Sequence, residues 1–382
     1  MDRQAAKNVQ IVIYTESYTD TKKKKKKMKK IIIFSPTSTE FDFSGDQPLG
    51  GADRALLKLI HTFKDDEVKA YIPLKSNEEY LLEKPDLEIK PFMDIFKDPL
   101  ECDVLILNRK VWIIPNNIKY KKLVFYSQDM PDTPCFEGIK TSNYFDMFDR
   151  VVLLSKFHKE EFLKLYNYPE NNIAIIGNAA DLQVVNPKHL QKEKDPLTFI
   201  YMSTPYRGLV VLMKMWKQII KKYPKAKLHV YSSMAIYGAP ELDEIQFGAM
   251  LKGLESMEGV ISHGSRPHNE VMTQLKRSYL LLYPNTYPET FCNVLMESRA
   301  CMTPFITSDL GALKETGGAA GIYIEGSAYS EEYQHKFMSH VADLIENKER
   351  YALLQSNCSP IRTWKDFSED FIKEINGLFE GD

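Results

Sequence analysis

Residues 286–315 read TYPETFCNVLMESRACMTPFITSDLGALKE and hold two glutamates, Glu289 and Glu297, eight positions apart. Glu289 follows Pro288, shortly after the apolar run SYLLLYP (278–284), and Glu297 sits inside an apolar stretch of helical character. Burying an unpaired charge is costly, so a carboxylate in either place needs a partner in the protein or a ligand. A helix over 291–300 presents free backbone N–H groups and partial positive charge at its first turn, Phe291-Cys292-Asn293, which suits a phosphate. Upstream, Arg207 in RGL (207–209) offers a guanidinium that can take phosphate oxygens two at a time.

The elements around these residues alternate. Strand-like runs are IIIF (31–34), VKAYIP (68–73), DVLILN (103–108), KLVFYS (122–127), RVVLLS (150–155) and IAIIG (173–177). Helical patterns separate several of them: ADRALLKLIHTF (52–63), with Leu56, Leu59, Ile60 and Phe63 on one face, and KFHKEEFLKLY (156–166). A polar stretch, NPKHLQKEKDP (186–196), reads as a linker, after which the alternation restarts with LTFIYM (197–202). An amphipathic helix LVVLMKMWKQIIKKY (209–223) follows, with Leu209, Leu212, Met213 and Trp216 inward. KLHVYS, GVISHG, SYLLLYP, TPFITS and AGIYIE are further strands, and TWKDFSEDFIKEINGLF (363–379) is a last amphipathic helix. Short apolar strands alternating with helices imply βαβ units and a mainly parallel sheet, here twice over. Such sheets bind ligands beyond their strand ends, so two of them facing one cleft would line it from both sides.

Length supports two domains: 382 residues exceed what one core of about 100–200 residues needs. The composition, 43% hydrophobic and 27% charged, is that of an ordinary globular protein, and the net charge of −2 gives no bias toward nucleic acid. Cys102, Cys135, Cys292, Cys301 and Cys358 are odd in number and include no CxxC pair, which argues for reduced thiols and against a zinc site. No apolar run approaches the roughly 18–20 residues that span a bilayer. The expectation is a cytoplasmic protein. KKKKKKMKK (22–30) reads as a solvated tract, with weak peripheral contact to an anionic membrane surface as the sharper alternative. Residues 1–27 are thus expected to be a disordered Lys-rich leader, with the folded unit starting at Met28.

Common nucleotide signatures are missing. No GxGxxG follows the first strand, no GxxxxGK[ST] occurs, and no DxD stands at a strand end. Instead STPYRGL (203–209), AKLHVYSSM (226–234), HGSRP (263–267) and the Glu-x7-Glu stretch together resemble the retaining glycosyltransferases of family 4, which have the GT-B fold. The resemblance covers most of 197–325. The N-terminal half is similar more loosely, through IIIFSP…GGADRALL, LVFYSQDMPD, DRVVLLSKFHKEEF and IGNAAD. It implies an α/β GT-B chain of two Rossmann-like, doubly wound parallel-sheet domains facing a central cleft. Their expected bounds are 28–190 for an acceptor domain and 191–360 for a nucleotide-sugar domain, with 361–382 crossing back to brace the first, Trp364 included.

The resemblance also implies roles. Glu289 lies beside the donor sugar, where a carboxylate favours positive charge developing at the anomeric carbon, or it simply sits well at a helix start. Glu297 accepts from ribose hydroxyls. Arg207, with Gly208 behind it, takes the diphosphate together with Phe291, Cys292 and Asn293. Gly50 and Gly51 bring a loop beside the donor phosphates and the acceptor, with Asp53 at the helix start, or form only a turn before that helix. His263 and Gly264 form a turn that lines the donor cleft or merely packs.

Two departures stand out. Ser203 or Thr204 occupies a place where many family members carry an arginine, leaving Arg266 to supply the charge. Gln128-Asp129 stands where the family often reads His-Asp; glutamine hydrogen-bonds a sugar hydroxyl but carries no proton, so Asp129 is the candidate acceptor-side contact or base. The expected activity is metal-independent, cofactor-free retaining transfer from a nucleoside diphosphate sugar, UDP favoured over GDP, to a hydroxyl of a glycan or lipid-linked acceptor. The alternatives are a catalytically silent nucleotide-sugar-binding protein and another GT-B enzyme such as a nucleotide-sugar epimerase.

Overall fold

A computed structural model describes residues 28–36, 40–41, 49–75, 80–81, 86–110, 114–136, 144–181 and 194–380. The Lys-rich leader and most of the expected linker lie outside them. The first half contains β1 (Lys30–Phe34), α1 (Gly51–Ile60), β2 (Glu67–Ile72), β3 (Tyr80–Leu81), β4 (Leu87–Pro91) and β5 (Leu100–Asn108). It continues with β6 (Ile118–Tyr126), β7 (Arg150–Leu153), α2 (Lys156–Leu165) and β8 (Ile173–Ile175). The second half opens with β9 (Thr198–Met202), α3 (Leu209–Lys222), β10 (Lys227–Tyr231), α4 (Glu241–Ile245), α5 (Gly248–Glu255) and β11 (Val260–Ser262). Then come α6 (His268–Arg277), β12 (Leu280–Tyr283), α7 (Asn293–Ala300), β13 (Phe305–Ser308), α8 (Leu313–Gly317) and β14 (Gly321–Ile324). Helices α9 (Glu331–Glu346), α10 (Lys348–Ser356) and α11 (Trp364–Gly377) finish the chain.

The strands form two sheets, ordered β3-β4-β2-β1-β5-β6-β7-β8 and β11-β10-β9-β12-β13-β14. All pairings are parallel except that of the short edge strand β3 with β4. Both are doubly wound, and the order of winding reverses between β1 and β5 in one sheet and between β9 and β12 in the other. The carboxyl ends of the strands flanking these reversals are where such sheets open a crevice. Apolar runs such as IIIF, VLIL and LVFY are buried throughout, because helices cover both faces of a parallel sheet.

Local signals fix several boundaries. Ser155 caps α2 by accepting from His158 N–H. The helix after RGL ends at Lys222, ahead of Pro224. Its inner face differs from the sequence expectation. Leu209, Val211, Leu212, Met215, Trp216, Ile219 and Ile220 are buried, whereas Met213 is only partly so. The 3.6-residue stripe therefore runs through Leu212, Met215 and Ile219 rather than through Met213. LEIKP (87–91), unread in the sequence, supplies β4. Helix α11 starts with a reciprocal capping box between Thr363 and Asp366. Its Phe367, Phe371 and Ile375 join the core of the first half, with Leu56 and Tyr126. Among the described residues, no helix is long and apolar enough to cross a membrane.

Candidate functional site

The carboxyl ends of the two sheets face each other across a cleft of about 440 Å³ lined by both halves of the chain. On the second-half wall, the loop after β12 carries Glu289, and α7 begins at Asn293 with Cys292 as its N-cap. Glu289 is 6% exposed, and its carbonyl accepts from Ala312 N–H at 2.8 Å. This ties it to the DLGALKE end of the same stretch. Its Oε1 accepts from Tyr283 Oη at 3.0 Å and lies 3.2 Å from Arg207 Nη1. Burial pushes the Glu289 carboxyl upward, with Arg207 and the Tyr283 hydroxyl pulling the other way. Burial likewise opposes the Arg207 charge, but Glu289 and the surrounding tyrosines outweigh it and keep the guanidinium protonated. Arg207 lies against the rings of Tyr206 and Tyr287, whose centroids are 5.4 and 5.2 Å away and which meet edge to face.

Gly208 does not line the cleft. Its φ of 98° is left-handed, and a Cβ there would stand 2.0 Å from the Pro284 carbonyl oxygen. Glycine lets the chain turn into α3 immediately behind Arg207, so its part is positional.

Glu297, in the second turn of α7, is 5% exposed and lines the cleft. Its Oε1 accepts from Arg54 Nη2 of the first half and from His268 Nε2, the latter at 2.9 Å. Burial alone would raise its pKa, but the Arg54 guanidinium and the His268 imidazole hold it down at about 2.

The opposite wall is built from α1 and the ends of β5 and β6. Gly50 and Gly51 bring the start of α1 against the start of α7: a Cβ on Gly51 would meet Asn293 Nδ2 at 1.9 Å. Two helix N-termini therefore converge on one end of the cleft. Asn178 Nδ2 donates to Asn293 Oδ1 at 3.1 Å across the same junction. Gln128 lines the cleft and donates from Nε2 to the Ala52 carbonyl at 3.3 Å. Asp129 accepts from Arg109 Nε and Nη2 at 2.9 and 2.8 Å, and Arg109 Nη1 lies 4.0 Å from Asp53. Arg109 itself follows β5 with a left-handed φ of 70°, uncommon for a residue with a side chain.

Other expected residues are placed differently. Phe291 precedes α7 rather than opening it, because the helix starts two residues later than the spacing suggested. Its ring still lines the cleft and packs on Gly177 of the first half. His263 is not among the cleft-lining residues: its ring stacks on Tyr231 at 4.2 Å and its Nε2 lies 3.0 Å from His229 Nδ1. Gly264 and Arg266 do line the cleft, with Arg266 half-exposed and 3.7 Å from Glu270.

Sequence reasoning missed Arg54, His268, Arg109 and the tyrosines Tyr206, Tyr237 and Tyr287. Tyr206 in PYRG and Tyr287 in TYPE flank residues already singled out, which is a signal that could have found them. Arg54 and Glu297 are 243 positions apart, so nothing local marks that pair. Further contacts close the two walls: Thr290 Oγ1 donates to the Gln128 carbonyl at 2.8 Å, and Ser155 Oγ to that of Thr290 at 2.7 Å. Glu315 accepts from Lys156 N–H at 2.9 Å, at the start of α2. Among the described residues, no three or more His, Cys, Asp or Glu side chains gather into a metal-binding group.

Residues 184–358 match the family described as Glycosyl transferases group 1. A D-inositol 3-phosphate glycosyltransferase of Thermobispora bispora is 21% identical over 253 residues, 62% of this chain and 57% of that protein. One of Rhodococcus jostii is 23% identical over 221 residues, 54% of this chain and 48% of that protein. The chain thus spans about half the length of these curated relatives. Among solved structures, a sucrose-phosphate synthase of Thermosynechococcus elongatus superposes with a TM-score of 0.68 at 13% identity, covering 92% of this chain and 100% of that one. The Anabaena protein HepE, solved with UDP-glucose, gives 0.62 at 14% identity, covering 92% and 98%. The two parallel-sheet domains are those of the GT-B fold.

Proposed function

We propose that the protein is a retaining, metal-independent glycosyltransferase that moves a sugar from a nucleoside diphosphate sugar, UDP favoured, to a hydroxyl of a glycan or glycolipid. The observation that carries this reading is the placement of Glu289 with Arg207, the start of α7, and Glu297 in a single cleft. In this reading the diphosphate lies at the paired starts of α7 and α1, where free N–H groups and helix dipoles stabilise it. Glu297 takes the ribose hydroxyls and Glu289 faces the sugar, favouring positive charge at the anomeric carbon. Arg207 offsets charge on the departing diphosphate, a task that a divalent cation performs in other transferases.

Asp129 already accepts two charge-assisted bonds from Arg109. It therefore orients the acceptor wall, and the departing phosphate oxygen takes the acceptor's proton. The relatives at 21 and 23% identity carry the name D-inositol 3-phosphate glycosyltransferase; in this chain the acceptor is read as a sugar of a glycan or lipid-linked glycan.

The test is to incubate the protein with a panel of nucleotide sugars, with and without candidate acceptors, and to measure released nucleotide. Release that depends on Glu289 and Arg207 supports the reading. Release unchanged in both Glu289→Ala and Arg207→Ala refutes it. A second reading, a silent nucleotide-sugar-binding protein, rests on Gln128, which carries no proton, and on Ser203 and Thr204, which carry no charge. Binding without turnover across the panel favours it.

A further inference from the structure

The carboxylate read as the ribose ligand already has an arginine on it, and that arginine belongs to the other half of the chain. Arg54 lies at the end of the first turn of α1, and its Nη2 donates to Glu297 Oε1 in α7. His268 Nε2 donates to the same oxygen. A ribose hydroxyl reaching Oε1 meets two donors in place.

The other arginines lining the cleft have different commitments. Arg207 faces Glu289, Arg109 is held by Asp129, and Arg266 is half-exposed beside Glu270. Among these described cleft arginines, Arg54 is the one tied to the carboxylate read as the ribose ligand. Its position adds to this. Gly51 touches Asn293 where the two helix starts meet, and Arg54 stands one turn from that junction. An anion seated there offers an opposite charge to an arginine that leaves Glu297. On the opposite wall Ser203 and Thr204 are uncharged, and Arg266 is half-exposed and 3.7 Å from Glu270.

We infer that Arg54 and the donor ribose compete for Glu297, and that the displaced Arg54 moves onto the diphosphate as its second cationic contact. The inference rests on the nucleotide-sugar reading above. It makes Arg54 both a bridge between the halves and a donor-binding residue. Ribose and diphosphate are then recognised in sequence by one side-chain movement.

The competition has a signature that a merely structural bridge lacks. Calorimetric titrations of uridine and UDP, with guanosine and GDP in parallel, are run on the full chain and on Arg54→Ala and Arg54→Lys. In Arg54→Ala the nucleoside binds several-fold tighter, because its competitor is gone, while the diphosphate binds at least about tenfold weaker, because a charge-assisted contact is lost. In Arg54→Lys the diphosphate falls between the two, since a lysine supplies charge without the planar fork. Nucleoside and diphosphate weakening together in Arg54→Ala, or neither changing, overturns the inference. If Arg54→Ala does not fold, the lysine variant decides: a diphosphate-to-nucleoside affinity ratio equal to wild type overturns the inference, and a reduced ratio supports it. A wild-type chain that binds none of the four ligands refutes the nucleotide-sugar reading itself, before any variant is compared.

Discussion

Replacing Glu289 by alanine leaves Arg207, part-buried beside two tyrosine rings, with its counter-charge gone. The guanidinium and carboxylate are 3.2 Å apart. At an effective dielectric constant of about 20, that separation corresponds to roughly 5 kcal/mol of attraction, set against the cost of removing both charges from water. The terms nearly cancel for the intact pair, but not for one partner left behind, which costs about 3–5 kcal/mol. For a domain of this size each kcal/mol lowers the melting temperature by about 2–4 °C, so Glu289→Ala should melt roughly 6–20 °C lower. Arg207→Met strands Glu289 instead and should cost a similar amount. The double variant, which removes both charges, should recover most of the loss. Melting curves of the wild type, both singles and the double, followed by near-ultraviolet circular dichroism, give the coupling directly. All three variants should lack transfer activity, and the near-native stability of the double variant separates catalytic loss from unfolding. Single variants within about 2 °C of wild type, or a double variant at the sum of the singles, would refute the reasoning.

Two further outcomes are expected. Gly208→Ala places a Cβ 2.0 Å from the Pro284 carbonyl oxygen at a left-handed φ of 98°. The backbone conformation alone costs about 1–2 kcal/mol, so the variant should melt lower, and on the proposed function it should also lose affinity for the nucleotide donor as Arg207 shifts; a wild-type melt would contradict the geometry. His158 is fully buried, and burial lowers its pKa to about 4, against the nearby Asp129. A group with a depressed folded pKa contributes stability that is present above its unfolded pKa, near 6.5, and is lost as pH falls toward 4. About 3 kcal/mol should disappear across that window. His158→Gln, which retains an acceptor for Leu154 N–H, should flatten the profile, as read from denaturation midpoints between pH 4 and 7.

The sheets were legible because their strands are buried on both faces. Runs such as DVLILN and KLVFYS carry that environment in composition alone, whereas LEIKP, with alternating polar residues at the sheet edge, does not. The start of α7 was misplaced by two residues, since Phe291 has the apolarity of a helix position but spends it on packing against Gly177. Within the site, Glu289, Glu297 and Arg207 could be picked out from the second half because their spacing lies within a few neighbouring elements. The partners that set their electrostatics could not. Arg54 reaches Glu297 only once two separately wound sheets face each other, and Arg109 reaches Asp129 only through the parallel register of β5 and β6. His263 carried the right residue type at a strand end, yet a neighbouring strand offered Tyr231 and His229 as closer partners.

The return of α11 to the first half has a consequence for the order of synthesis. Phe367, Phe371 and Ile375 complete a core whose other fully buried members are all translated much earlier. About 190 residues separate β8 from α11, and at roughly 5–20 residues per second a ribosome needs about 10–40 s to make them. Throughout that interval the nascent first sheet shows an apolar face around Tyr126 and Leu56 that its own sequence has not yet supplied the cover for. The two halves can each wind as they emerge, but the first core stays unfinished until α11 is made, so its closing step follows synthesis of the whole second sheet.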